Sequence, residues 1–558
     1  MAFPPQIPPL KRPLPPPLFD LLTDTADDVV KSLESGSITS RQVVESYLSQ
    51  IETHNLRGAK CRAVLCVNER RCLMEEADRL DEQRRRGDLR GPLHGVPILL
   101  KDNIATVASG LPTTAGSSSL LFSYETNAPV VKNLIERGLI IIGKANMTEF
   151  MGMKGVGGWS ALGGMCQPAY NPTGYKIGEK PRGETVSALD KAAFISLTSY
   201  LQTPGGSSTG SAVGVACGFA PISVGTETSG SIVTPAAASA LYALKVTPGS
   251  VSMEGVMQLT DCFDTLGTFG KSALDVALGC DALATSSKSS SLASCVSSMK
   301  FENISVGFVD IEKWRLPAGT QDDDPKYFEQ TAREYQQAKD MLRQSGVKVV
   351  DVYITPPEEY MVGDRNVNEL MRKIIRCQGK NGIERYLKGL RFAKIKTLED
   401  VIRKHKEFSG WEFEDGMRYC TDQAGLEALL AESRPDNEVL EWLEQCKRWA
   451  ATEGIDKVTS EKGVNVVVCC SDSYFAGVSV AARYPMAAVP LGYNESSGRL
   501  YGLQAIAQAY QEAKLVKFMT ACECVFPRRR VPDLEACKKA RVGLNDWKFG
   551  SCRSEDDG

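Results

Sequence analysis

The stretch TPGGSSTGSAVGVACGFAPISVGTETSGSIVTPAAASALYALK, residues 203–245, sets serines among glycines and small apolar residues in an order suited to nucleophilic chemistry. A serine attacks a carbonyl efficiently only when a base takes its proton and fixed donors hold the oxyanion that forms. Ser231 falls where the tight loop TETSGS meets the first turn of a predicted buried helix, PAAASALYALK. Unpaired N–H groups at a helix start, and the helix dipole, both favour negative charge there. The backbone around Thr228, Ser229, Gly230 and Ser231 therefore offers oxyanion donors. Gly205 and Gly206, ahead of Ser207 and Ser208, permit unusual backbone angles and close packing.

The base is harder to find. His94 lies in a turn before a strand, His54 ends a charged helix, and His405 sits in the charged run RKHKEF. Lys101, at the end of the apolar strand VPILL, is the better candidate. Desolvation at such a place lowers a lysine's pKa toward a neutral amine that accepts protons, and serine–lysine pairs are an alternative to serine–histidine ones. Each residue alone has a plainer reading. A lysine after a strand is usually a surface residue, and a glycine-serine loop is usually a turn or linker. GGSSTGS also resembles a phosphate cradle, but it lacks the ending of a P-loop and the GxGxxG spacing.

The elements that must carry these residues alternate between strand and helix. Thr39 with Gln42 fits a capping box, followed by Val43, Val44, Tyr47, Leu48 and Ile51 on one helical face. AVLCVNE (63–69) alternates like a short strand, and MEEADRLDEQRRRG reads as a charged helix ending at Gly87. GPLHGVPILLKDNI (91–104) reads as a turn feeding a buried strand that ends on Lys101. Helical NAPVVKNLIERG runs into the strand LIIIG, and helical PKYFEQTAREYQQAKDMLRQSG into VKVVDVYI. In the chemical stretch, SAVGVACGFA suits a tightly buried helix and PISVG a strand. Such alternation predicts an α/β sheet with crossover helices, as one large domain. The serine-rich run 285–298 reads as an exposed connection, and 173–202 as an inserted excursion.

Composition narrows the function. The 65 basic and 68 acidic side chains leave a formal charge of −3, so no basic excess exists to neutralise phosphates and a nucleic-acid partner is not expected. The 42% hydrophobic and 24% charged content excludes a chain disordered throughout. The 17 cysteines are an odd number with no CxxC, and only three histidines accompany them, so no zinc-ribbon or finger spacing exists. Buried reduced thiols are the expectation. Eight of the first 17 residues are proline, which predicts an extended arm over 1–19 rather than a signal peptide. The most apolar stretch, 464–482, is broken by Ser471-Asp472-Ser473, short of the ~18 apolar residues of a membrane helix. A cytoplasmic location and no membrane association are expected.

With these residues in hand, the chain resembles the amidase signature family of serine hydrolases, and within it is similar to fungal-type small-molecule amidases. GPLHGVPILLKDNI resembles the family's lysine strand, GKANMTEF (143–150) the block after it, and PGGSSTGSAVGVACGFAPISVGTETSGSIVTPA the signature itself. FDTLGTFGKSALDVAL (263–278) and VPLGYNESSGRLYGLQAIAQAYQEAKLVKFM (489–519) are similar to later blocks. The resemblance covers roughly 20–530, weakening over about 290–460, with a tail at 531–558. It implies a single α/β domain, a large mixed sheet flanked by helices. It also implies a Ser–cis-Ser–Lys triad of Ser231 as nucleophile, Ser207 as bridge after a cis peptide from Gly206, and Lys101 as base. Oxyanion donors would come from Thr228 to Ser231 with Ser207 beside them, and Asp102, Ser208, Thr226 and Glu227 would support by hydrogen bonding. The implied reaction is hydrolysis of a small-molecule or peptide-like amide to acid plus amine or ammonia, with no metal and no cofactor, by a monomer or homodimer. Thr209 and Ser229 depart from the family's glycines and read as marks of specificity. Substrate walls are expected from 151–203 and 299–460. Two alternatives stay open: an amidotransferase subunit releasing ammonia from glutamine, and a non-catalytic scaffold of the same fold.

Overall fold

Eleven strands join into one twisted, mixed sheet in the computed structural model. In chain order they are β1 (Val64–Val67), β2 (Pro97–Lys101), β3 (Ile140–Ala145), β4 (Ile222–Glu227), β5 (Tyr242–Lys245) and β6 (Thr265–Gly270). They continue with β7 (Ser305–Phe308), β8 (Lys348–Asp351), β9 (Val466–Cys470), β10 (Met486–Tyr493) and β11 (Leu500–Ile506). Across the sheet the order is β1-β3-β2-β4-β6-β5-β10-β11-β9-β7-β8. The structure describes residues 18–107, 110–121, 126–174, 204–284, 291–296, 301, 303–316, 325–390, 394–413, 420–495 and 497–542. The expected proline arm (but for its last two residues), nearly all of the excursion at 173–202 and most of the tail beyond 531 lie outside them.

Strand β2 runs parallel to both of its neighbours, β3 and β4. All five of its residues are buried, which explains why it reads as an unbroken apolar run rather than an alternating one. On the far side of β4 the strands turn antiparallel, through β6, β5, β10, β11 and β9. A parallel trio, β9, β7 and β8, closes the other edge. Strands from both halves of the chain thus interleave in one sheet, and the result is a single α/β domain with helices on the sheet's faces.

Local sequence rules account for the elements around the site. The capping box forms as its residues predict: Gln42 N–H donates to Thr39 Oγ1 at 3.2 Å, and Thr39 N–H donates to Gln42 Oε1 at 2.9 Å. The helix it starts, Ser40–His54, buries Val43, Val44, Tyr47, Leu48 and Ile51. The charged helix spans Arg70–Arg85, and Gly87 follows at φ +75°. The helix Thr209–Ala216 is buried at every position, as its run of small residues requires.

One prediction fails. The second buried helix does not extend over PAAASALYALK. It covers only Val233–Ala237, and YALK becomes β5. The two elements form because Tyr242 to Lys245 pair with β6 on one side and β10 on the other. Sheet pairing with β6, the next strand in the chain, and with β10, far along it, overrides the helical appearance of the alanines. Among the described residues no helix is long and apolar enough to cross a membrane; the apolar stretch near 464–482 divides into β9 and the helix Phe475–Ala482.

Candidate active site

The parallel strands β2 and β4 end at the same edge of the sheet, and they end on Lys101 and Glu227. Crevices outside the carboxyl ends of parallel strands are where α/β proteins gather their chemistry. Lys101 is fully buried, and its Nζ lies 2.8 Å from Ser207 Oγ. Ser207 Oγ lies 3.0 Å from Ser231 Oγ. Three residues spread over 130 positions of sequence thus form one continuous chain of polar atoms.

Each member is fixed by its surroundings. The amine of Lys101 also donates to Thr226 Oγ1 at 2.8 Å and to the Thr226 carbonyl at 3.1 Å. Ser207 follows a cis peptide bond from Gly206, and its carbonyl accepts from Thr148 N–H at 3.0 Å. A Cβ on Gly206 would meet Thr148 Oγ1 at 2.7 Å, so no larger residue fits without displacing that threonine. Ser231 is held by its carbonyl, which accepts from Ser208 N–H at 3.1 Å. The Glu227 carboxylate curls the intervening loop by accepting from Ile232 N–H at 2.7 Å and Val233 N–H at 3.1 Å. With those two donors taken, the N–H groups that remain for a ligand are the ones before Ile232.

Burial dominates the electrostatics. It pulls the Lys101 amine from 10.5 to about 7, against the opposing pull of Asp264 and Glu227. At neutral pH a large fraction of this amine is therefore unprotonated and able to accept a proton. Burial also raises the Asp264 carboxyl to about 6, while its bonds to Leu259, Thr260 and Thr228 hold it down.

The residues expected to support the site divide. Thr226 touches Lys101 directly. Ser208 Oγ donates to the Thr226 carbonyl at 2.9 Å and so ties the helix Thr209–Ala216 to β4. Asp102 turns away from Lys101, Ser207 and Ser231: it accepts from Thr114 N–H at 3.2 Å and Gly116 N–H at 3.1 Å, and from the Thr114 hydroxyl. Its work is to pin the 114–116 loop. The Thr209 hydroxyl donates to the Gly205 carbonyl at 2.6 Å, so its polarity is spent inside the fold, whereas Ser229 is exposed. Because the following helix has only five residues, the dipole argument for Ser231 carries less weight than the loop's own N–H groups.

Two features escaped the sequence. Asn103 is fully buried, and its Nδ2 donates to Thr226 Oγ1 at 3.0 Å and to the Met257 carbonyl at 2.9 Å. A carbonyl only accepts, so the atom facing Met257 must be the amide nitrogen, and this fixes which way the side chain points. Its place directly after Lys101-Asp102 is the one signal available.

The second is a buried polar cluster at Glu149, Lys154, His405 and Glu412. Lys154 Nζ lies 2.9 Å from Glu149 Oε1 and 2.5 Å from Glu412 Oε2, over the rings of Trp159 and Phe413. Burial beside the Glu412 charge pushes the Glu149 carboxyl well up, while Lys154 holds Glu412 down at about 2 despite its burial. Burial lowers His405 to about 4, and it exchanges hydrogen bonds with Ser117 and Gln423 rather than sitting on the surface. Ligand atoms of Glu149, His405 and Glu412 come within 4.8 Å of one another, a spacing suited to a metal, but the Lys154 ammonium lies among them and repels a second cation. His94 binds the Leu80 carbonyl and His54 the Ala59 N–H, so neither joins the site.

The family model named Amidase matches residues 42–372, more than half of the sequence. The chain belongs to the amidase family. It is an enzyme that hydrolyses carboxylic amides. A Schizosaccharomyces pombe protein named as an amidase is 26% identical over 545 residues, covering 91% of this chain and 86% of that one. The native peptide amidase from Stenotrophomonas maltophilia superposes with a TM-score of 0.77 at 27% identity, over 92% of this chain and 98% of that one. A glutamyl-tRNA(Gln) amidotransferase subunit from Streptomyces coelicolor is 34% identical, but over only 47% of this chain and 46% of its own.

Proposed function

We propose that this amidase works through an acyl-enzyme on Ser231, with Ser207 as proton bridge and Lys101 as base. The observation that carries the reading is the unbroken run Lys101 Nζ–Ser207 Oγ–Ser231 Oγ at 2.8 and 3.0 Å. Neutral Lys101 takes the proton of Ser207 as Ser207 takes that of Ser231, and Ser231 attacks the amide carbonyl. The oxyanion is received by the N–H groups between Thr228 and Ser231, aimed before substrate arrives. The proton returns along the same route to the leaving nitrogen, and water then cleaves the ester. The scheme uses no metal or cofactor. Thr226 grips the Lys101 amine, Ser208 braces Thr226 and the Ser231 carbonyl, and Asp102 supports from a distance.

The substrate we infer is a small-molecule or peptide-like amide, consistent with the likeness to a peptide amidase over nine-tenths of both chains. An amidotransferase subunit is the weaker reading, because that likeness stops at half the chain. We assign catalysis to a domain spanning 20–530, flanked by the arm and the tail, and working as a monomer or homodimer in the cytoplasm without nucleic acid. The test is ammonia release by the purified chain from carboxamides, C-terminally amidated dipeptides and glutamine. Turnover of the first or second supports the reading; turnover of glutamine alone would replace it with the amidotransferase one.

A further inference from the structure

We propose that Cys61 and Cys217 form a redox-active dithiol, a site of reversible disulfide formation by hydroperoxides. The two residues lie 156 positions apart in sequence, both are fully buried, and their sulfur atoms are 3.3 Å apart. All sixteen described cysteines are free thiols, and the Cys61–Cys217 pair is set apart from the others by its neighbour. The Arg541 guanidinium lies against Cys61, and it is a fixed charge. It donates to the carbonyls of Ala59 at 2.6 Å, Pro168 at 2.6 Å, Asn171 at 2.7 Å and Pro172 at 3.2 Å.

Burial in apolar surroundings raises a thiol's pKa, and it does so for Cys217, Cys166 and Cys537 in the same region. Cys61 goes the other way, because the Cys217 thiol donates to it and Arg541 favours its thiolate. A thiol biased toward thiolate by a fixed cation, with a second thiol in contact, has the parts of an attacking and a resolving cysteine.

The chemistry balances. The Cys61 thiolate attacks one peroxide oxygen, the O–O bond breaks, and the leaving oxygen takes a proton, leaving a sulfenic acid on Cys61. Cys217 sulfur then attacks Cys61 sulfur, the S–O bond breaks, and the Cys217 proton leaves with hydroxide as water. Two thiols are oxidised by two electrons while one hydrogen peroxide is reduced to two waters. A thiol reductant reverses the step by exchange.

Access requires a small opening. The helix Leu534–Ala540 covers the pair, tied by the Cys537 thiol to the Ala169 carbonyl at 3.4 Å and by the Arg541 bonds that follow it. A seven-residue surface helix of this kind opens locally far more readily than the sheet beneath it, and hydrogen peroxide is little larger than water.

Peptide mapping after brief treatment of the full chain with hydrogen peroxide, then alkylation in denaturant, tests the proposal. The expected result is one dominant disulfide-linked peptide pair joining Cys61 to Cys217, lost on dithiothreitol treatment, with the other buried cysteines alkylated as before. In Cys217→Ser, with no resolving thiol, dimedone should tag Cys61. If the variant does not fold, the mapping of the wild-type chain decides alone. Full alkylation of Cys61 and Cys217 after peroxide, or a linkage dominated by another pair, would overturn the assignment.

Discussion

Replacing Lys101 with methionine separates the catalytic role proposed for the amine from what the amine costs the fold. Burial draws its pKa from 10.5 to about 7, so the protonated amine is about 5 kcal/mol less favourable in the fold than in water. Between those two pKa values the unfolded chain binds more protons than the folded one, so stability rises with pH across that window. The destabilisation is complete below pH 7 and fades as pH approaches 10.5. Linkage puts it at about 4 kcal/mol at pH 7 and about 2 kcal/mol at pH 9 for the pKa of about 7. Lys101→Met removes this term but takes one hydrogen bond from each Thr226 oxygen and from the Ser207 hydroxyl, which keep Asn103, Ser208 and Ser231 as partners, at a cost of about 0.5–1.5 kcal/mol each that does not depend on pH in this range. The absolute change in stability is therefore a contest, while its pH dependence is not. Relative to wild type, the variant is expected to lose about 2 kcal/mol of its advantage on going from pH 7 to pH 9. Urea unfolding of both proteins at the two pH values measures it, and pH 7 to 9 avoids the titration of Asp264 near 6. The same variant is expected to abolish the rise of kcat/KM through pH 7. An equal stability difference at both pH values would mean that the buried amine is not held neutral, and the base assignment would go with it.

A fluorophosphonate probe is expected to label the peptide containing Ser231, and Ser231→Ala to remove both the label and several orders of magnitude of kcat; labelling unchanged in the variant would move the nucleophile elsewhere. Ser207→Ala is expected to reduce kcat far more than Ser208→Ala, since only Ser207 touches both Lys101 and Ser231; steady-state kinetics giving the reverse order would shift the bridge by one residue. Lys154→Met leaves the Glu412 charge buried without its cation and is expected to cost about 3–5 kcal/mol, read as a lowered urea midpoint, so an unchanged midpoint would show that water reaches the cluster.

Much of the geometry of this candidate site was legible because the residues proposed for its chemistry also shape the backbone. The unbroken apolar run before Lys101 predicts a strand buried on both faces, and a lysine delivered by such a strand must be desolvated. The Gly205-Gly206 pair makes the same kind of prediction, since Gly205 adopts φ +76° and a Cβ there would meet Pro235 within 3 Å. Where local pattern and tertiary demand agreed, as in the helix Thr209–Ala216, the sequence reading held. Where they disagreed, at YALK, pairing with the next strand and with one far along the chain decided the outcome.

The parts that were not legible share one physical property, which is that they are satisfied by partners far along the chain. Asn103 bonds to a residue 123 positions away, and Lys154 to one 258 positions away. Single-chain periodicity carries no information about such pairs, because each member looks locally like an ordinary polar residue. His405 is the sharpest case. Its neighbours Lys404 and Lys406 are solvent-side residues of a helix, yet a helix turns 100° per residue, and position 405 falls on the face that meets Ser117 and the Glu149–Lys154–Glu412 cluster. The charged run around it was a true signal of the outer face and a false one for its middle residue. The surviving hint is Leu398, Val401, Ile402 and His405, a buried stripe at helical spacing on which the histidine is the only polar residue. A polar residue on an apolar stripe needs a buried partner, so the pattern that hid His405 from a charge count also demanded the cluster that receives it.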